Sequence, residues 1–455
     1  MRIRRPSFDR VHNYVHRCRC VRVLRIALAS CLIGALSAHS ADDPQQSVAA
    51  EDELAAQPVS NAAKTRLERA RDSIVQIRGF FGDSQSDAFH GSGFCVTDDG
   101  LIVTNYHVVS QAVLYPKEYR LEFLAPNGTS GRLRVQAVDI EHDLAIVKAD
   151  DFRPPPLRAR TQIPLKGERA YSIGYPLNLG LTITEGVANG LVENSLEQRI
   201  YYSGAMNGGM SGGPALDNVG AVYGVNVSVI TGRQSVSFVV PAKHIGPLLR
   251  HARTPLDIAG ARAVVASQLD AHQTALFASI PAKLATQTAA GYSLPGKITP
   301  AVECNSDGTA DPTKLLSIET IGCRAHVGVF VEFGLETGEL RYWHRVVRSD
   351  RLTPLQFAEQ VNRIADSIAW TGSRKHVAQF VCRNELVALR GFDARVGTCV
   401  RQYRMFDNLY DIGVSVTSVG NGNSAVISHL SMRGVAFAQG MEFAHRYLEA
   451  MRWTP

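Results

Sequence analysis

From about residue 64 to residue 252 the chain is written in short apolar runs broken by glycine, proline and asparagine. Ser73–Arg78, Ser92–Val96, Leu101–Thr104, Tyr119–Phe123, Leu133–Val138, Leu144–Lys148, Ala170–Ile173, Leu181–Val187, Ala221–Val229 and Ser235–Val240 all read as strands. Many short strands at fairly even spacing predict a β-barrel or sandwich. A short helix over residues 241–250 closes the segment.

Beyond residue 253 the pattern changes. Residues 257–286 are rich in Ala, Leu and Gln at helical spacing, and residues 289–313 read as a Gly/Pro/Asp-rich loop. Ala325–Phe333 and Leu340–Val347 read as strands joined by a hairpin turn at Glu336-Thr337-Gly338-Glu339. Thr353-Pro354 is an N-cap followed by proline at the first helical position, and predicts a helix to about Trp370. His376–Cys382, Ile412–Val419 and Ser424–Leu430 read as further strands, and 432–452 as a final helix. The expectation is a mainly β chain: a barrel segment over 64–252, then a separate α+β domain over 253–455.

The formal net charge of +6 changes this picture only at the N-terminus. Residues 1–41 hold eight arginines against Asp9, which leaves −1 for the remainder. A nearly neutral body has no electrostatic footprint for nucleic acid, so nucleic acid is excluded as a partner. The basic start precedes an apolar run, Ile26–Ala38, that is shorter than the ~20 residues of a bilayer span. It suits the h-region of a signal peptide over residues 1–41, and implies a secreted or periplasmic protein. If uncleaved, residues 26–38 associate with the membrane and anchor the protein facing the same compartment. Residues 42–63 read as a linker.

Three of the eight cysteines, Cys18, Cys20 and Cys31, fall in the leader. In an oxidising compartment Cys304 with Cys323 and Cys382 with Cys399 are locally spaced pairs, though other pairings are equally open to the sequence. None has Cys-x-x-Cys spacing, so no metal site is expected. Cys95, among apolar residues, reads as a small buried hydrophobe.

Candidate chemistry is confined to three segments. Asn207-Gly208-Gly209-Met210-Ser211-Gly212-Gly213-Pro214 places a serine between glycines, where a hydroxyl can meet a carbonyl beneath tightly packed backbone. Glycine two before Ser211 can adopt the backbone angle that turns its N–H inward, so the N–H groups of Gly209 and Ser211 can converge as an oxyanion hole. A serine hydroxyl needs a base, and His107 follows the run Leu101–Thr104 at a strand end. A histidine base needs a carboxylate to fix its tautomer. Asp143 opens the apolar strand Leu144–Val147, with Asp139 and Asp150 as competitors.

In this order the segments resemble the HtrA/Deg-type branch of the chymotrypsin-like serine proteases. "GSGF", "LIVTNYHVV", "HDLAIVK", "GYPLNLGLTITEGVANG", "GGMSGGP", "YGVNVSV" and "SFVVPAK" carry the resemblance, which spans about 190 residues. It implies a chymotrypsin-like double β-barrel with the site in the cleft between barrels. It implies catalytic His107, Asp143 and Ser211, an oxyanion hole of Gly209 and Ser211, no cofactor, and protein or peptide substrates. Asn226, Val227 and Ser228 would lie where the substrate backbone adds as a strand. Ala205, six before the nucleophile, would lie near the floor of the primary pocket with Tyr202, Met206 and Val227 close by. With no acid there, cleavage after small or aliphatic residues is expected.

The chain departs from the family at Met210, where a small polar residue is usual, and that change is expected on the substrate side. It departs again over 253–455, which carries no PDZ-like signature. The C-terminal half is expected to recruit substrate or restrain the protease. The rival to a secreted serine endopeptidase is a catalytically silent, protease-like binding module. Oligomeric state is not legible.

Overall fold

The computed structural model describes residues 60–454, apart from 194–197, 230–235, 310, 312, 326–327 and 366–371. The expected signal peptide, nearly all of the expected linker and the membrane-associating run 26–38 lie outside the described residues.

The first described element is helix α1 (Asn61–Ala70), capped by the Ser60 hydroxyl, which accepts the Ala63 N–H. Strands β1 (Ile74–Phe81), β2 (Asp87–Cys95), β3 (Leu101–Thr104), β4 (Tyr119–Leu124), β5 (Ser130–Asp139) and β6 (Leu144–Lys148) form a closed antiparallel barrel in the order β1-β2-β3-β6-β5-β4. Helix α2 (Tyr106–Leu114) lies between β3 and β4. Strands β7 (Glu168–Gly174), β8 (Thr182–Leu191), β9 (Ile200–Tyr202), β10 (Pro214–Leu216), β11 (Val222–Val229) and β12 (Ser237–Pro241) close a second barrel, β10-β11-β12-β9-β8-β7. This is the double barrel the resemblance implies. Helix α3 (Ile245–Leu249) follows it.

The run Leu144-Ala145-Ile146-Val147 lacks alternation because both faces of β6 are covered. Leu144 and Ile146 join an apolar cluster shared with Ile173, Val225 and Val240 of the second barrel, while Ala145 and Val147 face the opposite cluster beneath α2. Packing between the barrels therefore fixes the strand end at which Asp143 sits.

Helix α4 (Ile258–Ala278) opens the C-terminal half. Strands β13 (Thr286–Ala289), β14 (Tyr292–Pro295) and β15 (Val302–Thr309) occupy most of 289–313, where a loop is expected from sequence. Asp307 and Gly308 are exposed on β15, an edge strand, where polar residues are tolerated. Then come β16 (Ser317–Ala325), β17 (Val329–Glu332), β18 (Leu335–Thr337), β19 (Glu339–Arg348), helix α5 (Pro354–Ile364), β20 (Val381–Leu389), β21 (Phe392–Gln402), β22 (Tyr410–Val419), β23 (Ser424–Val435), helix α6 (Phe437–Glu449) and β24 (Arg452–Trp453). Seven of these strands build one antiparallel sheet, β15-β16-β19-β23-β22-β21-β20. The expected hairpin turn at 336–339 is instead a corner. β18 pairs back onto β17 through Phe333-Gly334, with Gly334 at φ 80°. The Thr353 cap holds as a capping box with Gln356. Disulfides join Cys304 to Cys323 across β15–β16 and Cys382 to Cys399 across β20–β21.

The two halves share an apolar core. Ala261, Val265 and Leu269 of α4, Val329, Val331 and Leu335 of the β17–β18 hairpin, and Tyr403, Phe406 and Leu409 are buried with Tyr106, Val109 and Val113 of α2. Polar contacts reinforce it. Gln268 of α4 accepts the Ile140 N–H at 2.9 Å and donates to the Val138 carbonyl at 2.8 Å. Tyr106 donates to the Val331 carbonyl at 2.8 Å. Glu332, buried, accepts from Tyr115 at 2.7 Å and lies 3.1 Å from His376 Nδ1. Burial and this carboxylate together push the Tyr115 phenol well above its ordinary range.

Leu269→Ala is therefore expected to cost about 2–5 kcal/mol in chemical denaturation, as for other buried leucines. Barrel and C-terminal signals should shift together. A shift confined to the C-terminal half would contradict the shared core.

Candidate active site

His107 lies in the first turn of α2, one step beyond the strand end expected for it. The first N–H groups of a helix have no partner within the helix, and its N-terminus favours negative charge. The N-cap residue, Asn105, does not cap with its side chain. Its amide donates instead to the Asp143 carbonyl at 2.8 Å. The Asp143 carboxylate takes the vacant capping role. Oδ1 accepts the His107 N–H at 2.9 Å, and Oδ2 lies 2.7 Å from His107 Nδ1. Asp143 is buried while its partner ring is about one-third exposed (9% against 29%). An anion in that setting is stabilised by the helix end, by the backbone N–H and by the ring together.

Asp143 has φ 57°, an angle that aspartate tolerates better than most residues. The turn before it is tied down from several sides. His142 Nδ1 lies 2.8 Å from Asp139 Oδ2, its backbone N–H donates to Asp139 Oδ1, and its ring stacks on His244 with centroids 3.7 Å apart. Burial, with the neighbouring His142, pushes His244 down to about 4. Burial opposes ionisation of Asp139, but its bonds to His142 outweigh that and hold the carboxyl below its ordinary value. Of the competing acids, Asp139 is thus spent on His142, and Asp150 on Arg134. Of these three acids it is Asp143 that meets His107.

The serine segment arrives on the turn between β9 and β10. Gly209 has φ 98°, and a Cβ there would fall 2.3 Å from the Tyr175 carbonyl. Gly212 has φ 85°, and a Cβ there would fall 2.1 Å from the Ser92 carbonyl and 3.1 Å from the Asn105 nitrogen. Only glycine permits this approach, which brings the serine turn against the strand that leads into α2.

Along this turn the backbone groups alternate. Gly208 C=O accepts from Leu177, Met210 N–H donates back to Asn207, and Met210 C=O accepts from Gly213. A trans peptide points its N–H opposite its carbonyl, so the N–H groups of Gly209 and Ser211 turn away from those partners. Neither has a hydrogen-bond partner among the described residues. The Ser211 hydroxyl donates to the Val227 carbonyl at 2.9 Å, and among the described residues no hydrogen bond links it to His107.

Ser92, in the "GSGF" segment, is the residue that sequence reasoning underused. It is fully buried. Its hydroxyl donates to the Gly209 carbonyl at 2.7 Å and accepts the Tyr175 N–H at 2.9 Å, while its own N–H donates to the Ser211 carbonyl at 2.8 Å. Thr104 donates to its carbonyl at 2.7 Å. One side chain from the first barrel thereby sets the serine turn of the second.

The remaining expected positions divide. Ala205 is exposed, with no acid between 202 and 210. Tyr202 and Met206 are buried in the second barrel's own core with Met210. Met210 therefore faces inward, away from the substrate side expected for it, where a methionine needs no hydrogen-bond partner. Asn226 is not open to a peptide. It is fully buried, its amide donates to the Ile173 carbonyl at 3.0 Å, and its backbone groups are taken by Gly212 and Gly213. The unpaired edge begins one residue later. Among the described residues β10 pairs with β11 only as far as Val225, and Val227–Val229 have β12 alone beside them, with a bulge between Asn226 and Ser228.

Part of the chain is similar to known proteins. Residues 91–225 match the trypsin-like peptidase domain family. A DegP-like periplasmic serine endoprotease of Chlamydia trachomatis is 33% identical over 167 residues, covering 35% of this chain and 32% of that protein. Serine protease HTRA1A of Danio rerio is 34% identical over 197 residues, 40% of each chain. A solved serine endoprotease from Yersinia pestis aligns at 24% identity over 43% of this chain and 66% of that one, with a TM-score of 0.37. The chain spans only about a third to two fifths of the length of these curated relatives.

Ser92→Ala would leave the Gly209 carbonyl and Tyr175 N–H unpaired in a buried place, at about 1–3 kcal/mol for each orphaned group. Urea denaturation should register that loss, and a variant as stable as the wild type would contradict the clamp. With two closed barrels, a matching family model and relatives of one kind, the barrel-forming part of this chain is similar to the trypsin-like peptidase domain of HtrA-type serine proteases.

Proposed function

We propose that the protein is a secreted or periplasmic serine endopeptidase that cleaves protein substrates through an acyl-enzyme. The observation that carries this reading is the pairing of two features. An imidazole is held by a buried carboxylate, and the N–H of Ser211 and that of Gly209 both lack partners among the described residues.

In the proposed cycle the substrate backbone lies along Val227–Val229 as an added strand. The Ser211 hydroxyl leaves the Val227 carbonyl for another staggered rotamer and gives its proton to His107 Nε2 as its oxygen attacks the scissile carbonyl. The resulting oxyanion is held by the N–H groups of Gly209 and Ser211, where a single donor contributes about 2.7–4 kcal/mol. Asp143 keeps Nδ1 protonated and stabilises the imidazolium without taking the proton itself. His107 then protonates the departing amine. Water, deprotonated by His107, hydrolyses the ester and returns Ser211 to its hydroxyl form. Small or aliphatic residues are proposed at the cleaved position, because Ala205 brings neither bulk nor charge.

The compartment is supported by the periplasmic designation of a relative and by the two disulfides, which persist where the medium is oxidising. The catalytically silent binding module remains the second reading. It is favoured by one observation, the Ser211 hydroxyl bonded to Val227 instead of His107.

An active-site-directed fluorophosphonate separates the two. Wild-type protein should be labelled and Ser211→Ala should not, while Asp143→Asn should cut kcat on an unfolded protein substrate by about 10⁴-fold, as tautomer loss does in other triads. Unlabelled wild type would favour the silent module.

A further inference from the structure

The helix that carries His107 is held along its whole length by the C-terminal half. At its start Tyr106 donates to the Val331 carbonyl at 2.8 Å. Midway, Gln111 reaches Glu332 at 3.5 Å, and at its end Tyr115 donates to the same carboxylate at 2.7 Å. Glu332 is itself held by His376 at 3.1 Å and Lys375 at 3.6 Å, and the Lys375 ammonium lies 4.2 Å from the Tyr115 ring centre. Val329 and Val331 are buried beneath the same helix. The β17–β18 hairpin is thus anchored on α2 by apolar packing and by a buried, fully engaged carboxylate.

Between the anchors stands Phe330. Its ring meets the His107 imidazole edge-on, with centroids 6.0 Å apart at 78°, and leans on Tyr106 at 6.4 Å. Phe330 is only partly buried, as is His107. An aromatic side chain that is fixed at its backbone and half open beside the base offers an apolar wall. The substrate residue flanking the scissile bond must pass the imidazole, and so passes this wall too. This surface comes from a hairpin far along the chain, its Val331 standing 225 residues after Tyr106.

We propose, resting on the endopeptidase reading above, that Phe330 is a specificity-determining residue. It forms the wall of the subsite beside His107 and selects a large apolar substrate residue next to the residue that occupies the primary pocket. The C-terminal half is then part of the active site, and the Glu332 anchor is what keeps it there.

The test uses the full chain, first labelled with a fluorophosphonate and then profiled on a peptide library randomised on both sides of the cleaved bond. Wild type should prefer large apolar residues at one position adjoining the primary-pocket residue. Phe330→Ala should lower kcat/KM for those peptides by roughly ten-fold or more relative to peptides with small residues there, the scale expected when a pocket loses a hydrophobic contact. Phe330→Leu should restore most of the preference. Phe333→Ala, at the exposed hairpin tip (89%), should keep the wild-type profile. An equal loss across all peptides, or no change at any position in a labelled Phe330→Ala enzyme, would overturn the proposal while leaving the endopeptidase intact. Wild type that fails to label would overturn both.

Discussion

A helix end needs an acceptor, and in this protein that need is met by the Asp143 carboxylate. Asn105 stands at the N-cap position yet spends its amide on the Asp143 backbone, so the side chain of Asp143 closes the first turn of α2. The same carboxylate grips His107 Nδ1. Satisfying the helix therefore orients the imidazole, so one carboxylate serves both the fold and the candidate base. Everything around the pair serves to keep it in register. β6 is buried on both faces, the Asp139–His142–His244 stack fixes the preceding turn, and Gly212 lets the serine segment approach Asn105.

The second constraint runs between the barrels. Ser92 spends its hydroxyl and its N–H on Gly209, Tyr175 and Ser211. The arrangement of free and used amides over 208–211 depends on that buried contact. A polar residue at position 210 would have to find partners inside an apolar cluster, and methionine fills the space without needing any. The chain thus departs from the family's usual residue at a point where the departure is met by core packing.

Much of this was legible in the sequence. The apolar runs located most strands of both barrels because their residues are buried by the alternation or the continuous runs that burial requires. β9 and β10 escaped, being three residues long and too short for any period to show. The residues expected as a triad were legible by type and order, and the structure separates Asp143 from Asp139 and Asp150 by their partners. Asn226, expected where a substrate would add, is instead buried and paired, because the bulge at Val227 cannot be read from an apolar run. The C-terminal half was least legible. Its edge strands are polar and mimic loop, and the anchoring of β17 on α2 joins positions more than 200 residues apart by a carbonyl and a carboxylate, neither of which leaves a local pattern.

The proposed chemistry requires convergence: one oxygen held by two backbone amides, beside a hydroxyl within reach of an oriented imidazole. A crystal structure of the covalent phosphonate adduct measures it directly. The account predicts phosphorus bonded to Ser211 Oγ, a phosphoryl oxygen within about 2.7–3.1 Å of the Gly209 and Ser211 nitrogens, and His107 still on Asp143. An adduct whose phosphoryl oxygen points to solvent, with His107 detached from Asp143, would contradict it.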